Sequence, residues 1–168
     1  MSLHRPISLV AILAAVGLAG CGSTNPLDRK VAAPDPNSFQ LWLGNADGDW
    51  PPADLARFQA AEREIKLNVM ADGATGEDAV EQGFCERIDG KSVRAVIALG
   101  LRDRIDRLRS DLADARRLFA DNSKIKGAGA ASQAAVDARV AEDRSRMDRD
   151  QAALTEARED LTRLTDRR

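Results

Sequence analysis

"SVRAVIALGLRDRIDRLRSDLADARRLF", residues 92–119, carries Val93, Ile97, Leu101, Ile105, Leu108, Leu112, Ala115 and Phe119 at separations of 4, 4, 4, 3, 4, 3 and 4. Steps of three and four keep side chains on one face of a 3.6-residue turn, so this stretch reads as a long amphipathic helix. At 1.5 Å per residue, a helix over 92–120 extends roughly 43 Å. It cannot cover its own apolar stripe. The fold is therefore decided by what the flanking sequence offers to that stripe.

Downstream, "DNSKIKGAGAAS" (121–132) breaks the pattern with Gly127 and Gly129 in a small-residue hinge. Beyond it Val140, Met147, Leu154 and Leu161 recur every seven residues, with Val136, Ala157 and Leu164 adding to the same side. Asp143 and Asp150 occupy companion positions that a strong seam would fill with apolar residues. The second stripe is thus a narrow, weak coiled-coil strand, and it forms a candidate interaction seam.

Upstream, Asp49 followed by Pro51-Pro52 signals a helix start. A helix over 52–70 places Leu55, Phe58, Ile65 and Val69 near one face. "ADGATGED" (71–78) ends it, with Thr75 and Asp78 spaced as a capping-box variant for a further helix carrying Val80, Phe84 and Ile88 and ending at Asp89-Gly90. The expected architecture over 51–168 is all-α: two short helices followed by a long antiparallel helical hairpin of coiled-coil-like character, closed at 121–131. Its stripes are too polar for a thick core, so the short helices or a second subunit must cover one side.

Residues 22–50 mix Gly, Ser, Asn and Pro without a sustained period and read as a tether, with a typical span of roughly 30 Å. Within it "SFQLWLGN" alternates Phe39, Leu41 and Leu43 with Gln40 and Trp42, as an extended segment laid on the helices or a partner-docking motif would. Trp42 and Trp50, the two tryptophans, are candidate docking residues or lids on an aromatic-poor core. "NADGDW" (45–50) has alternating Asn45, Asp47 and Asp49, but its glycine is fourth rather than sixth and position twelve is Ala56. It reads as a turn rather than a calcium loop.

At the N-terminus, residues 1–20 contain no Asp or Glu, carry His4 and Arg5, and run apolar and small from Ile7 to Gly20. That is the layout of a secretory signal peptide, too short to serve as a permanent membrane span. Leu18-Ala19-Gly20-Cys21 resembles the lipobox of bacterial lipoproteins at all four positions. The resemblance implies cleavage before Cys21, alkylation of its thiol by a diacylglyceryl group and acylation of the new amino terminus. Two or more acyl chains make such an anchor durable. Gly22, standing where an inner-membrane retention signal of enterobacterial lipoproteins has Asp, implies an outer-membrane address facing the periplasm in a cell with two membranes. The expected domains are then a signal peptide at 1–20, a lipidated N-terminus and tether at 21–50, and the helical body at 51–168.

The chain carries 25 basic and 27 acidic side chains, a formal charge of −2. No segment concentrates positive charge as nucleic-acid binding requires, and no basic run points to anionic lipid. Interleaved charges four apart (Asp103 with Arg107, Glu142 with Arg146, Glu159 with Arg163) mark solvated helix faces. With Cys21 committed to the anchor, Cys85 has no intramolecular partner; between Phe84 and Ile88 it reads as a small buried hydrophobe.

The one histidine, His4, leaves with the signal peptide, and the chain has no tyrosine. The usual general base and any Ser-His or Cys-His pair are therefore missing, while Glu62 with Glu64 and Glu77 with Asp78 diverge on a helix. The chain reads as non-catalytic, with no cofactor or metal. The expectation is an envelope lipoprotein held to the membrane by its N-terminal lipid, acting on an envelope partner or a second copy through its helices. The alternative is a carrier of a small apolar ligand or lipid.

Overall fold

The structure, a computed structural model, describes residues 25–46, 48 and 50–166. The lipobox, the anchor residue Cys21, and Asp47 and Asp49 lie outside the described residues. Among those described, five α-helices follow a short 3-10 turn, Pro26–Asp28: α1 Pro36–Ala46, α2 Pro52–Ala71, α3 Glu77–Ile88, α4 Val93–Asn122 and α5 Ala130–Asp166. The all-α reading and the long closing hairpin are as the sequence indicated. Lys30 and Ser92 form the one isolated β-bridge among the described residues.

The long stripe becomes α4, whose first turn is fixed by Ser92: its hydroxyl accepts from the Ala95 N–H at 3.2 Å. α5 packs along it as the second arm of the hairpin. Two apolar clusters result. One gathers Phe39, Phe58, Ile65, Phe84, Ile88 and Val96 from the first four helices, reaching Leu164 at the end of α5. The other joins Ile105, Leu108 and Leu112 of α4 to Leu154 and Ala157 of α5. α2 crosses α4 so closely that a Cβ on Gly100 would lie 2.4 Å from the Ala61 Cα. Only glycine permits that approach.

The tether reading fails for residues 25–46. Val31 and Ala33 are buried, and their segment is bound along the α3–α4 loop by Val31 N–H to the Lys91 carbonyl (2.8 Å) and Ala33 N–H to Asp89 Oδ1 (2.8 Å). "SFQLWLGN" is helical rather than extended. Asp35 and Pro36 start α1, with Asp35 Oδ1 accepting from the Ser38 N–H at 3.0 Å and Oδ2 from the Ser38 hydroxyl at 2.7 Å. Those bonds to Ser38 hold the Asp35 carboxyl below its ordinary value.

Phe39, Trp42, Leu43 and Ala46 then fall at i, i+3, i+4 and i+7, facing the body. Trp42 stacks on Phe39 at 6.1 Å, and Trp50 meets Phe58 edge-on at 5.2 Å. Trp50 is only 6% exposed and Trp42 half-buried, so these residues are lids on the core, and the docking reading is corrected. The capping-box expectation is also corrected. Gly76, at φ 87°, starts α3 without a side-chain cap.

The heptad positions turn inward. Leu154 is buried against α4, while Met147 and Leu161 pack against the same cluster and Val140 is half-buried farther along. Their neighbour in the structure is this chain's own α4. Asp143, 5% exposed, accepts from Asn122 Nδ2 at 2.6 Å and pairs with Arg139 at 3.6 Å, which explains a carboxylate at a seam position. The hinge is tightened by Gly127, whose N–H donates to Gln133 Oε1 at 2.9 Å.

Candidate functional site

α4 presents Arg94, Ile97, Leu101 and Arg104 along one face, at steps of three, four and three. On one side of this face stands α2 with Arg57, Ala60, Ala61 and Glu64; on the other, the end of α5 with Asp160, Arg163 and Leu164. Leu27 of the 3-10 turn also lines it. The three helices enclose a cleft of about 560 Å³, within the general range for small-molecule sites. It arises because α2 and α5 pack on different sides of α4 and leave an interval between them.

Among the described residues, six arginines border the cleft (Arg57, Arg63, Arg94, Arg104, Arg107 and Arg163) against three carboxylates, Asp54, Glu64 and Asp160. Arg107 grips Glu64 with two nitrogens, at 2.7 and 3.0 Å, and reaches Asp111 at 3.3 Å. The Glu64 hydrogen bonds raise its pKa despite partial burial. Arg57 pairs with Asp54 at 3.2 Å and Arg163 with Asp160 at 2.6 Å. Arg94 ties three elements together, reaching Asp28 and the Leu164 carbonyl at 3.3 Å each. Arg63, exposed, and Arg104, half-buried, have no carboxylate partner among the described residues.

The paired charges differ from the sequence expectation. Arg107 turns to Glu64 and Asp111 rather than Asp103, Arg146 to Asp150, and Arg163 to Asp160. Asp103 is left with Oδ2 buried and without a hydrogen bond; burial raises its pKa, opposed in part by Arg87. No run of basic residues announces the cleft, because its arginines come from three helices.

The acidic pairs considered for catalysis do not converge. Glu62 and Glu81 instead hold Lys66, at 2.8 and 2.5 Å, above the Phe84 ring at 5.1 Å from its centroid. Burial alone would lower the Lys66 pKa, but the two carboxylates more than reverse it and raise it. Glu64 serves Arg107, and Glu77 and Asp78 are exposed in the first turn of α3. Cys85 is fully buried, and desolvation followed by the Glu81 charge pushes its thiol up to about 11. At neutral pH it stays a protonated thiol packed as a hydrophobe.

No family model, curated protein or solved structure matches this chain. Among the described residues, no cluster of His, Cys, Asp and Glu has the arrangement of a metal site. No described helix is long and apolar enough to cross a membrane.

Proposed function

We propose that this protein is a lipid-anchored envelope lipoprotein of non-catalytic, structural or assembly-accessory role, acting through its helical surfaces at the membrane. The observation that carries this reading is Leu18-Ala19-Gly20-Cys21 at the end of an acid-free apolar run. The structure supports a specific form of it. Leu27, packed against the core, lies six residues after Cys21, and six residues reach at most about 22 Å. An anchor at Cys21 therefore holds the body close to the bilayer instead of standing it off on a long tether. From there, the hairpin arm beyond Arg107 offers charged, solvent-facing helix, with Leu118 and Ile125 exposed, to a partner in the envelope.

A second reading, carriage of a small apolar ligand or lipid, is favoured by one feature, the 560 Å³ cleft with Ile97, Leu101 and Leu164 in its lining. The test of the anchor is metabolic labelling with a fatty acid, with mass spectrometry of the N-terminal peptide. Wild-type protein should carry lipid on Cys21, and Cys21→Ser should lose the label and remain an uncut precursor. A mature wild-type N-terminus without lipid mass would overturn the membrane address.

A further inference from the structure

We infer that the cleft between α2, α4 and the end of α5 binds an amphipathic oxyanion: one phosphate or carboxylate head on an aliphatic chain. Arg104 and Arg63 hold the head, and the half-buried Leu27, Ala60 and Leu101 receive the chain. The inference rests on the second reading above, carriage of a small apolar ligand or lipid in this cleft, and does not depend on lipidation of Cys21, since every residue it uses lies in the packed body.

Charge gives the first argument. The chain as a whole is acidic, at −2, yet among the described residues this cleft gathers six arginines against three carboxylates. Four of the six have carboxylate partners, at Asp54, Asp28, Glu64 and Asp160. Arg104 is the exception that matters, because it is half-buried on the cleft face of α4 without a counter-charge among the described residues. A guanidinium lining a cleft without a counter-charge is free to take a bound oxyanion in a two-pronged hydrogen bond.

The rest of the lining selects what the head is attached to. Besides the charged groups its described lining is Leu, Ile, Ala and Gly, with no aromatic ring among the described residues. A nucleobase would find no aromatic ring to stack upon, only guanidinium planes, four of them held by carboxylates, whereas a flexible alkyl chain finds the half-buried side chains of Leu27, Ala60 and Leu101. The cleft is also confined between three helices, which suits a small amphiphile better than an acidic protein segment.

The test uses the full chain in phosphatidylcholine nanodiscs, titrated with hexyl phosphate, inorganic phosphate and hexanol, with binding read from the NMR linewidths of each probe. Hexyl phosphate should bind at least about tenfold more tightly than either fragment, because only it satisfies both halves of the site. Arg104→Gln combined with Arg63→Gln should weaken it by about tenfold or more at unchanged helicity, and Arg104→Lys should recover only part of the loss. Arg109→Gln, an exposed control on α4 paired with Asp106, should leave binding unchanged. Equal binding of hexanol, equal binding of inorganic phosphate, or full affinity in the double variant would each overturn the site. So would displacement of hexyl phosphate by an acidic peptide that binds more tightly.

Phosphatidylglycerol in the nanodisc then separates the sources of the anion. If it blocks hexyl phosphate, the site takes a bilayer headgroup; if hexyl phosphate still binds, it takes a soluble amphiphile. Either result supports the cleft as the binding site.

Discussion

Gly100→Ala tests the contact on which the body is assembled. An added Cβ would lie 2.4 Å from the Ala61 Cα, 2.5 Å from its Cβ and 2.8 Å from its carbonyl oxygen. Carbon atoms pack at about 3.5–4.0 Å, so α2 must retreat by more than about 1 Å. Two of the three obstacles are backbone atoms, which no rotamer change can move aside. Overpacking of this kind costs about 1–3 kcal/mol, and the upper end applies when a helix has to shift. Alanine returns about 1 kcal/mol of helix propensity, leaving a net loss of about 2 kcal/mol.

For a body of this size, that corresponds to a fall in Tm of about 4–8 °C. Gly44→Ala is the matched control, since nothing lies within 4 Å of its added Cβ in α1. It should gain about 0.5–1 kcal/mol and melt higher than wild type. Thermal unfolding followed by circular dichroism compares the two. If Gly100→Ala melts at or above the wild-type temperature, the close crossing of α2 over α4 is wrong.

Two further substitutions address the hairpin and the buried carboxylate. Leu154→Ala should cost about 2–4 kcal/mol, because Leu154 is 3% exposed among Ile105, Leu108 and Leu112, while the mass in solution stays constant. A fall in oligomeric mass instead would mean that the heptad seam joins two copies. Asp103→Asn should raise Tm at pH 7. Burial lifts the folded pKa of Asp103 above its unfolded value, so the wild type is favoured at acid pH and loses that stability as pH rises through the folded value. The variant should lack this part of the pH dependence, and identical pH–Tm profiles would refute the assignment.

What could be read from the chain followed the strength of its periodicity. The stripe from Val93 to Phe119 dictates α4, and the Pro51-Pro52 start with the Asp89-Gly90 stop brackets α2 and α3 to within a residue or two. The α1 helix was concealed by its own residues. Phe39, Leu41 and Leu43 alternate as a strand would, but Phe39, Trp42, Leu43 and Ala46 equally fit a helix, and tertiary burial selects the second pattern. Asp35-Pro36, an N-cap followed by proline, was the signal that could have decided it.

The cleft lacked any comparable signal. Arg57, Arg104 and Arg163 are each one charge in an alternating surface pattern, and only the packing of three helices brings them together. Arg107 shows why local spacing misled: the expected partner was Asp103, four residues back, but Glu64 on α2 offers both carboxylate oxygens. The core placement of Cys85 was legible because its apolar neighbours share its face.

α5 has the properties of a ruler with repeated graduations. Arg139 with Asp143, at 3.6 Å, recurs seven residues later as Arg146 with Asp150, at 3.7 Å, beside apolar marks that also return every seventh residue. Sliding α5 by one graduation, about 10.5 Å, would offer Asn122 the same kind of carboxylate, so the repeated charges cannot choose their own zero. It is set by Ala157, fully buried where that slide would bring the larger Leu164, and at the two ends by the Gly127–Gln133 bond in the turn and by Arg94 reading the Leu164 carbonyl. The turn lies roughly 38 Å along α4 from Ile97, yet its length decides whether Asp160, Arg163 and Leu164 arrive to complete the cleft.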